Sequence, residues 1–246
     1  MIAPLDKWVD WWANQVATTR AGRTLGICLG LLLLCCCATK PDRSAFIPAS
    51  ELPADVTMNK DAGRGNWLFV TLRLDKDEEL RFFVDTGMTL TVLDKSLEPE
   101  LGKRLGTGTI RQFGITREAG IYAAPRLYLG GTRLMTSGKI LTADLKQPSS
   151  LSGHRVMGIL GMDCLKHYCI QLDFEGGKMR FLDPHHLNAA QLGKAFPLTF
   201  RWNCPFIQDS SIIGGELTNL FIDAGYAKDG ALDPRLFRQK VGERTL

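Results

Sequence analysis

Apolar and polar residues alternate over residues 67–74, with Leu68, Val70, Leu72 and Leu74 on one side. That period of two predicts a half-buried strand. Residues 80–84 are nearly all apolar and predict a second strand, buried on both faces. Asp75-Lys76-Asp77 lies between them as a turn. Residues 89–93 are β-branched and apolar, the composition of a third strand. Residues 96–105 predict a short helix with Ser96 as N-cap. Glu98 and Glu100 stand early in it and Lys103 and Arg104 late, as the helix dipole favours. Pro99 fits only because it falls in the first turn. Further short strands are expected over 109–113, 121–129, 133–135, 139–143 and 156–160, with Gly130-Gly131 as a hairpin turn. Residues 162–167 suit a helical turn. Residues 170–174 and 178–182 flank Glu175-Gly176-Gly177 as a second hairpin. Many short strands with glycine turns and one or two short helices predict an all-β chain.

Ahead of this pattern stands a different one. Residues 25–38 carry no charge and are followed by Lys40-Pro41-Asp42-Arg43, with Arg20 and Arg23 before them. A positive flank and about a dozen apolar residues are the marks of an export signal, and the run is shorter than the ~20 residues of a comfortable membrane span. Cysteines directly after Leu31-Leu32-Leu33-Leu34 resemble the acceptor of a bacterial lipoprotein, with Cys36 or Cys37 as the lipidated residue. Trp8, Trp11 and Trp12 suit a membrane-surface stretch before the run. The expected location is therefore the cell envelope, with residues 1–38 as signal or membrane anchor. Residues 39–63, with Pro41, Pro48 and Pro53, are expected to be a linker.

Composition narrows the chemistry. Across 246 residues the formal net charge is +4 with no basic block, which argues against nucleic acid as partner. Four of the seven cysteines lie in the apolar run, leaving Cys164, Cys169 and Cys204. Three are too few for a disulfide scaffold. Cys164 and Cys169 are close enough in sequence to bridge, but small buried apolar residues are the plainer reading. The four histidines show no ligand spacing with the cysteines, so no zinc site is expected.

The chemistry-bearing element is Phe82-Phe83-Val84-Asp85-Thr86-Gly87. A carboxylate at the end of an apolar strand is costly unless it is hydrogen-bonded or functional. A turn aspartate capping its own backbone is the bland explanation. The second element is Gly158-Ile159-Leu160-Gly161-Met162-Asp163-Cys164-Leu165, where two glycines bracket two aliphatics and allow close passage behind the Asp85 loop. Together these motifs resemble the retropepsin-like aspartic protease family, in its bacterial single-domain branch. The likeness covers residues 64–183. It implies a closed β-barrel lobe, Asp85 as catalytic carboxylate, Thr86 bonding across the lobe junction, and Gly87 allowing the sharp turn. It also implies a hairpin flap between about Gly106 and Gly120, tipped at Phe113-Gly114. The carboxylate chemistry implied by the resemblance requires neither metal nor cofactor. Met88 departs from the family, which usually has alanine there.

An internal echo follows. Glu79-Leu80-Arg81-Phe82-Phe83-Val84-Asp85-Thr86-Gly87 compares with Glu216-Leu217-Thr218-Asn219-Leu220-Phe221-Ile222-Asp223-Ala224-Gly225, with one residue inserted, and Phe206-Ile207 compares with Phe69-Val70. Residues 195–246 thus resemble a partial second lobe of a pepsin-type chain, or a degenerate repeat, with Asp223 as second aspartate and Gly225 as its turn glycine. Ala224 replaces the threonine, and no second Gly-apolar-apolar-Gly run follows. Two functions compete. One is an aspartic endopeptidase acting on peptides or proteins, its site built from Asp85 of two protomers in a homodimer or from Asp85 and Asp223 of one chain. The other is a catalytically silent β-barrel that binds peptides or an envelope partner.

Overall fold

The computed structural model describes residues 47–75, 78–112, 115–188, 192–211 and 217–226, together with 231 and 238. All the elements below belong to the compact unit Ser44–Gly230. The apolar run 25–38, Cys36 and Cys37, and the expected hairpin tip Phe113-Gly114 lie outside the described residues.

The alternating segment becomes β2 (Phe69–Arg73) and the apolar one β3 (Glu79–Val84), paired antiparallel with Phe69 opposite Phe83 and Val70 opposite Phe82. Side chains on a strand alternate between faces, so Val70, Leu72, Leu80, Phe82 and Val84 share one face, and Phe69 and Phe83 the other. Both faces are buried at residues 82–84, whereas Arg81 is exposed and lies over the Phe69 ring. β10 (Gly158–Leu160) runs parallel to β3 on its other side and antiparallel to β4 (Val92–Asp94). β9 (Lys139–Ala143) follows β4, then β6 (Ile115–Ala123) and β5 (Gly106–Gln112). At the far side β7 (Tyr128–Leu129) and β8 (Thr132–Arg133) extend beyond β2 through the Gly130-Gly131 turn.

The resulting order, β5-β6-β9-β4-β10-β3-β2-β7-β8, corrects the expectation of a closed barrel. Among the described residues no ladder joins β5 to β8. Closure needs a continuous ladder between the two edges, and β8 offers only two residues. The fold is mostly β, and its main sheet is open.

A second sheet, β1 (Val56–Thr57), β12 (Lys178–Leu182) and β11 (Cys169–Asp173), covers the face that carries Val70 and Phe82. Met58, Met179 and Phe181 join Leu72, Phe82 and Leu160 in that core. The ordered lobe therefore begins inside the stretch expected as linker, since Val56 pairs with Met179 and both Met58 and Ala62 are buried. A two-residue strand shortly after Pro53 carries no readable period. On the opposite face Trp67, Phe69, Phe83, Val92, Ile110, Ala119 and Ile159 form a separate core, with Met88 packed against it. Cys164 is buried, Cys169 half-buried, and both are free thiols.

Local chemistry explains two further differences. The expected helix over 96–105 is a 3-10 segment, Lys95–Glu100, capped by Asp94, whose side chain accepts from Ser96 N. Pro99 lies inside it and Gly102 has φ +77°, so an α-helix cannot propagate. A short helix α1 (Lys146–Ser152) arises where none was expected, because Pro148 and three serines are weak helix formers. It is held from outside: the Ser149 hydroxyl accepts from Val156 N at 2.9 Å.

β10 can lie against β3 only because residue 158 is glycine. A Cβ there would overlap the Phe82 ring, which is fully buried and cannot swing away. Gly158→Val is expected to destabilise the lobe by about 3 kcal/mol, at the upper end of overpacking costs. The check is a urea unfolding midpoint compared with wild type.

Candidate active site

The loop after β3 is held by backbone on every side. Asp85 N donates to Leu160 O at 3.0 Å, so β10 reaches the aspartate itself. Asp85 Oδ1 accepts from Gly87 N at 2.7 Å, and Met88 N closes the turn onto Asp85 O at 3.3 Å. The helical turn α2 (Met162–Leu165) docks beneath: Met162 N donates to Met88 O at 2.8 Å and Asp163 N to Thr89 O at 3.2 Å. Gly161 makes this approach possible, because a Cβ would stand 2.7 Å from Leu90 C and 2.9 Å from Met88 O. Gly158, Ile159, Leu160 and Gly161 thus lie where the spacing of the two motifs requires.

One supporting residue is not apparent in the sequence pattern. Asp163 is fully buried, and its Oδ1 accepts from both Thr91 N and Thr91 Oγ1 at 2.7 Å. The Thr91 hydroxyl in turn accepts from Gly161 N at 3.2 Å. This carboxylate ties α2 to the strand leaving the Asp85 loop. An acidic residue between methionine and cysteine in an apolar run is the only sequence signal for it.

The internal echo is realised next to the second aspartate, and the register shifts beyond Ile207, where the first hairpin has no shift. β14 (Cys204–Ser211) and β15 (Leu217–Phe221) pair with Phe206 opposite Phe221 and Ile207 opposite Leu220, the register of Phe69 with Phe83 and Val70 with Phe82. Ile222 N donates to Pro205 O as Val84 N donates to Leu68 O. Tyr226 N returns to Asp223 O as Met88 N does to Asp85 O. Gly225 N donates to Asp223 Oδ1 at 2.9 Å, matching the bond from Gly87 N to Asp85.

The two loops meet within one chain. Thr86 Oγ1 donates to Ile222 O at 2.6 Å and accepts from Ala224 N at 2.8 Å. A Cβ on Gly87 would stand 3.0 Å from the Asp223 carboxylate, and one on Gly225 would overlap the carboxylate of Asp85. Each carboxylate therefore faces the turn glycine of the other loop. Ala224 has no hydroxyl with which to return the Thr86 bond. Two further contacts reach the Asp85 loop from the hairpin of β13 (Leu198–Arg201) and β14. The Cys204 thiol faces Gly87 O at 3.5 Å, and Thr89 Oγ1 donates to Trp202 O at 3.4 Å. Trp202 and Asn203 both have positive φ, 51° and 68°, the backbone of a tight two-residue hairpin turn.

Electrostatics follow from this closeness. Burial raises the proton affinity of Asp85 above the ordinary carboxylate range, and the neighbouring Asp223 charge raises it further. The bond from Gly87 N pulls the other way and does not win. Burial also raises Asp223, against the opposing bonds from Gly225 N and Asp85. β5 and β6 form an antiparallel hairpin whose buried residues Ile110 and Ala119 share a core with Met88 of the Asp85 loop. Among the described residues no group of three or more His, Cys, Asp or Glu is arranged to hold a metal ion.

The Thr86 hydroxyl is the central cross-link between the loops. Thr86→Val is expected to cost about 1–3 kcal/mol through two lost bonds to backbone groups. The loss should appear as faster amide hydrogen exchange at 217–226, with β2, β3 and β10 still protected. Compared with known proteins, the chain matches no family model and no curated sequence.

Proposed function

We propose that this chain is an aspartic endopeptidase whose carboxylate pair is Asp85 and Asp223 of a single chain. The observation that carries the reading is that each aspartate, at the tip of its strand-turn loop, faces the turn glycine of the other loop. Two carboxylates this close cannot both be charged cheaply, so they hold one proton between them. In such a site the charged member takes a proton from a water molecule as its oxygen adds to the peptide carbonyl. The protonated member gives its proton to the carbonyl oxygen. The tetrahedral adduct then collapses, with a proton passing to the departing amine. The retropepsin-like resemblance points the same way, and in that reading the β5–β6 hairpin covers the substrate. The apolar run 25–38 supports a site of action in the cell envelope, and extended peptides or unfolded proteins are the fitting substrates.

The competing reading is a silent peptide-binding module. Ala224 favours it, since the second loop lacks half of the reciprocal lock. A homodimeric site built from two copies of Asp85 is less economical, because Asp223 already occupies the partner position.

Activity separates these. Against denatured protein from about pH 4 to 7, where carboxylate pairs titrate, the rate should be bell-shaped and highest on the acid side. Asp85→Asn and Asp223→Asn should each lower kcat at least a thousandfold, on the order of the loss of an acid–base group. Full activity in Asp223→Asn would replace the single-chain site with a dimer. No cleavage by folded wild-type protein that still binds peptide would establish the silent module.

The raised proton affinity also has a stability consequence that needs no substrate. Asp85 is raised in the fold relative to the unfolded chain. The stability linked to its neutral form is therefore fully present below about pH 4, the unfolded value, and is lost as pH rises through the folded value. Asp85→Asn keeps that position neutral. The variant should thus have a Tm equal to wild type at low pH and progressively higher as pH approaches 7. A Tm difference that is flat across this range would mean the carboxylate is not held against its charge.

A further inference from the structure

The two hairpins that carry the aspartates differ at one edge. β3 lies between β2 and β10, and Asp85 N is bonded to Leu160 O. Among the described residues β15 has β14 alone as a neighbour, and no backbone acceptor faces Asp223 N. Alternation along the paired strands puts Leu198, Phe200, Ile207, Leu220 and Ile222 on one face. In the first hairpin the matching face is core: Val70, Phe82 and Val84 are 3%, 0% and 2% exposed. In the second, Leu198, Phe200 and Ile222 are 51%, 56% and 39% exposed. Ile207 and Leu220 are half-buried, so three of these five apolar residues are exposed on one sheet face beside the strand edge, which marks an interaction surface.

We propose that the edge of β15 left unpaired among the described residues, together with this face, receives an extended segment of a partner polypeptide, of the type Gly-aliphatic-aliphatic-Gly, lying parallel to β15. The internal repeat specifies the occupant. In the first hairpin the strand in that slot is parallel, it buries two aliphatics, and it has glycine at both ends for steric reasons. Gly158 passes over Phe82, whose counterpart is Leu220, and Gly161 abuts Met88 O, whose counterpart belongs to Tyr226. A second copy of this chain cannot supply the segment from its own β10, because Ile159 and Leu160 are 0% and 1% exposed and already paired on both sides. The partner is a separate strand that adds by backbone hydrogen bonds and alternate side-chain contacts. Its last carbonyl would accept from Asp223 N, as Leu160 O does from Asp85 N, and it would bury Ile222 beside the carboxylate pair. Binding there would order the less supported of the two loops.

This inference rests on the repeat and not on peptidase activity, so it is tested in the full chain carrying Asp85→Asn, kept in mild detergent. The probe is a fluorescein-labelled peptide with the sequence of residues 156–163, Val-Met-Gly-Ile-Leu-Gly-Met-Asp, flanked by lysines for solubility. Fluorescence anisotropy should show saturable binding. Amide exchange at 220–223 should slow about tenfold or more on saturation. A peptide with both glycines changed to valine should bind at least about tenfold more weakly. Absence of saturable binding would overturn the proposal. So would equal binding of the two peptides, or protection confined to β5, β6 and the Asp85 loop, which would mark the peptide as an occupant of the cleft instead.

Discussion

Everything distinctive about this structure follows from two carboxyl groups brought into contact. Each sits at the tip of a strand-turn loop and accepts a bond from the backbone N–H two residues on. The glycine that donates that bond on one loop faces the carboxylate of the other, so any side chain at Gly87 or Gly225 would push the pair apart. The closeness has an electrostatic cost, because a second negative charge in a partly buried site is resisted by desolvation and by the first charge. Both aspartates are accordingly pushed towards their neutral forms. The proposed acid–base chemistry would draw on that shift, which comes from burial and from the closeness of the two groups, against the pull of their backbone bonds.

The support beneath the two carboxylates is unequal. The Asp85 loop is fixed by β10 in parallel, by α2 docking on Met88 and Thr89, and by the buried Asp163 that grips Thr91. A buried carboxylate with a partner for only one oxygen is an expensive device, and Asp163 Oδ2 has none among the described residues. Such a cost is tolerated where it holds a loop in one conformation. The Asp223 loop leans on its neighbour instead. Thr86 supplies the bonds to Ile222 O and Ala224 N, and Cys204 and Trp202 add contacts to Gly87 and Thr89. Because Ala224 has no hydroxyl, the Thr86 hydroxyl makes both side-chain bonds that join the two aspartate loops directly.

How far the sequence could be read depended on how local the signal was. The β2–β3 hairpin, β9 and the hairpin around Gly176 were legible, because a period of two and glycine turns are written into a few adjacent residues. Asp85 and the strand Gly158 to Gly161 were legible for the same reason, as short motifs of unusual composition. The echo of Phe69-Val70 in Phe206-Ile207 carried through to identical pairing, since like residues at like offsets bury the same faces. Helix α1 was not legible, because Pro148 and its serines oppose a helix, and contacts from outside it such as those of Val156 and Arg117 hold it. The 3-10 segment before Leu101 and the two-residue β1 were misread for want of a period long enough to see.

The sequence by itself determined that an acidic residue ends a buried strand, that a glycine-bracketed strand can pass behind it, and that the arrangement recurs near Asp223. Those are properties of adjacent residues and their sterics. Whether Asp223 stands against Asp85, whether the sheet closes, and whether β15 finds a neighbour are matters of distance between segments far apart in the chain. No local pattern encodes them. They were decided by tertiary contacts: a threonine hydroxyl bonded to backbone 136 residues away and 138 residues away, an open sheet edge at two-residue β8, and a β15 that has β14 alone as a neighbour among the described residues.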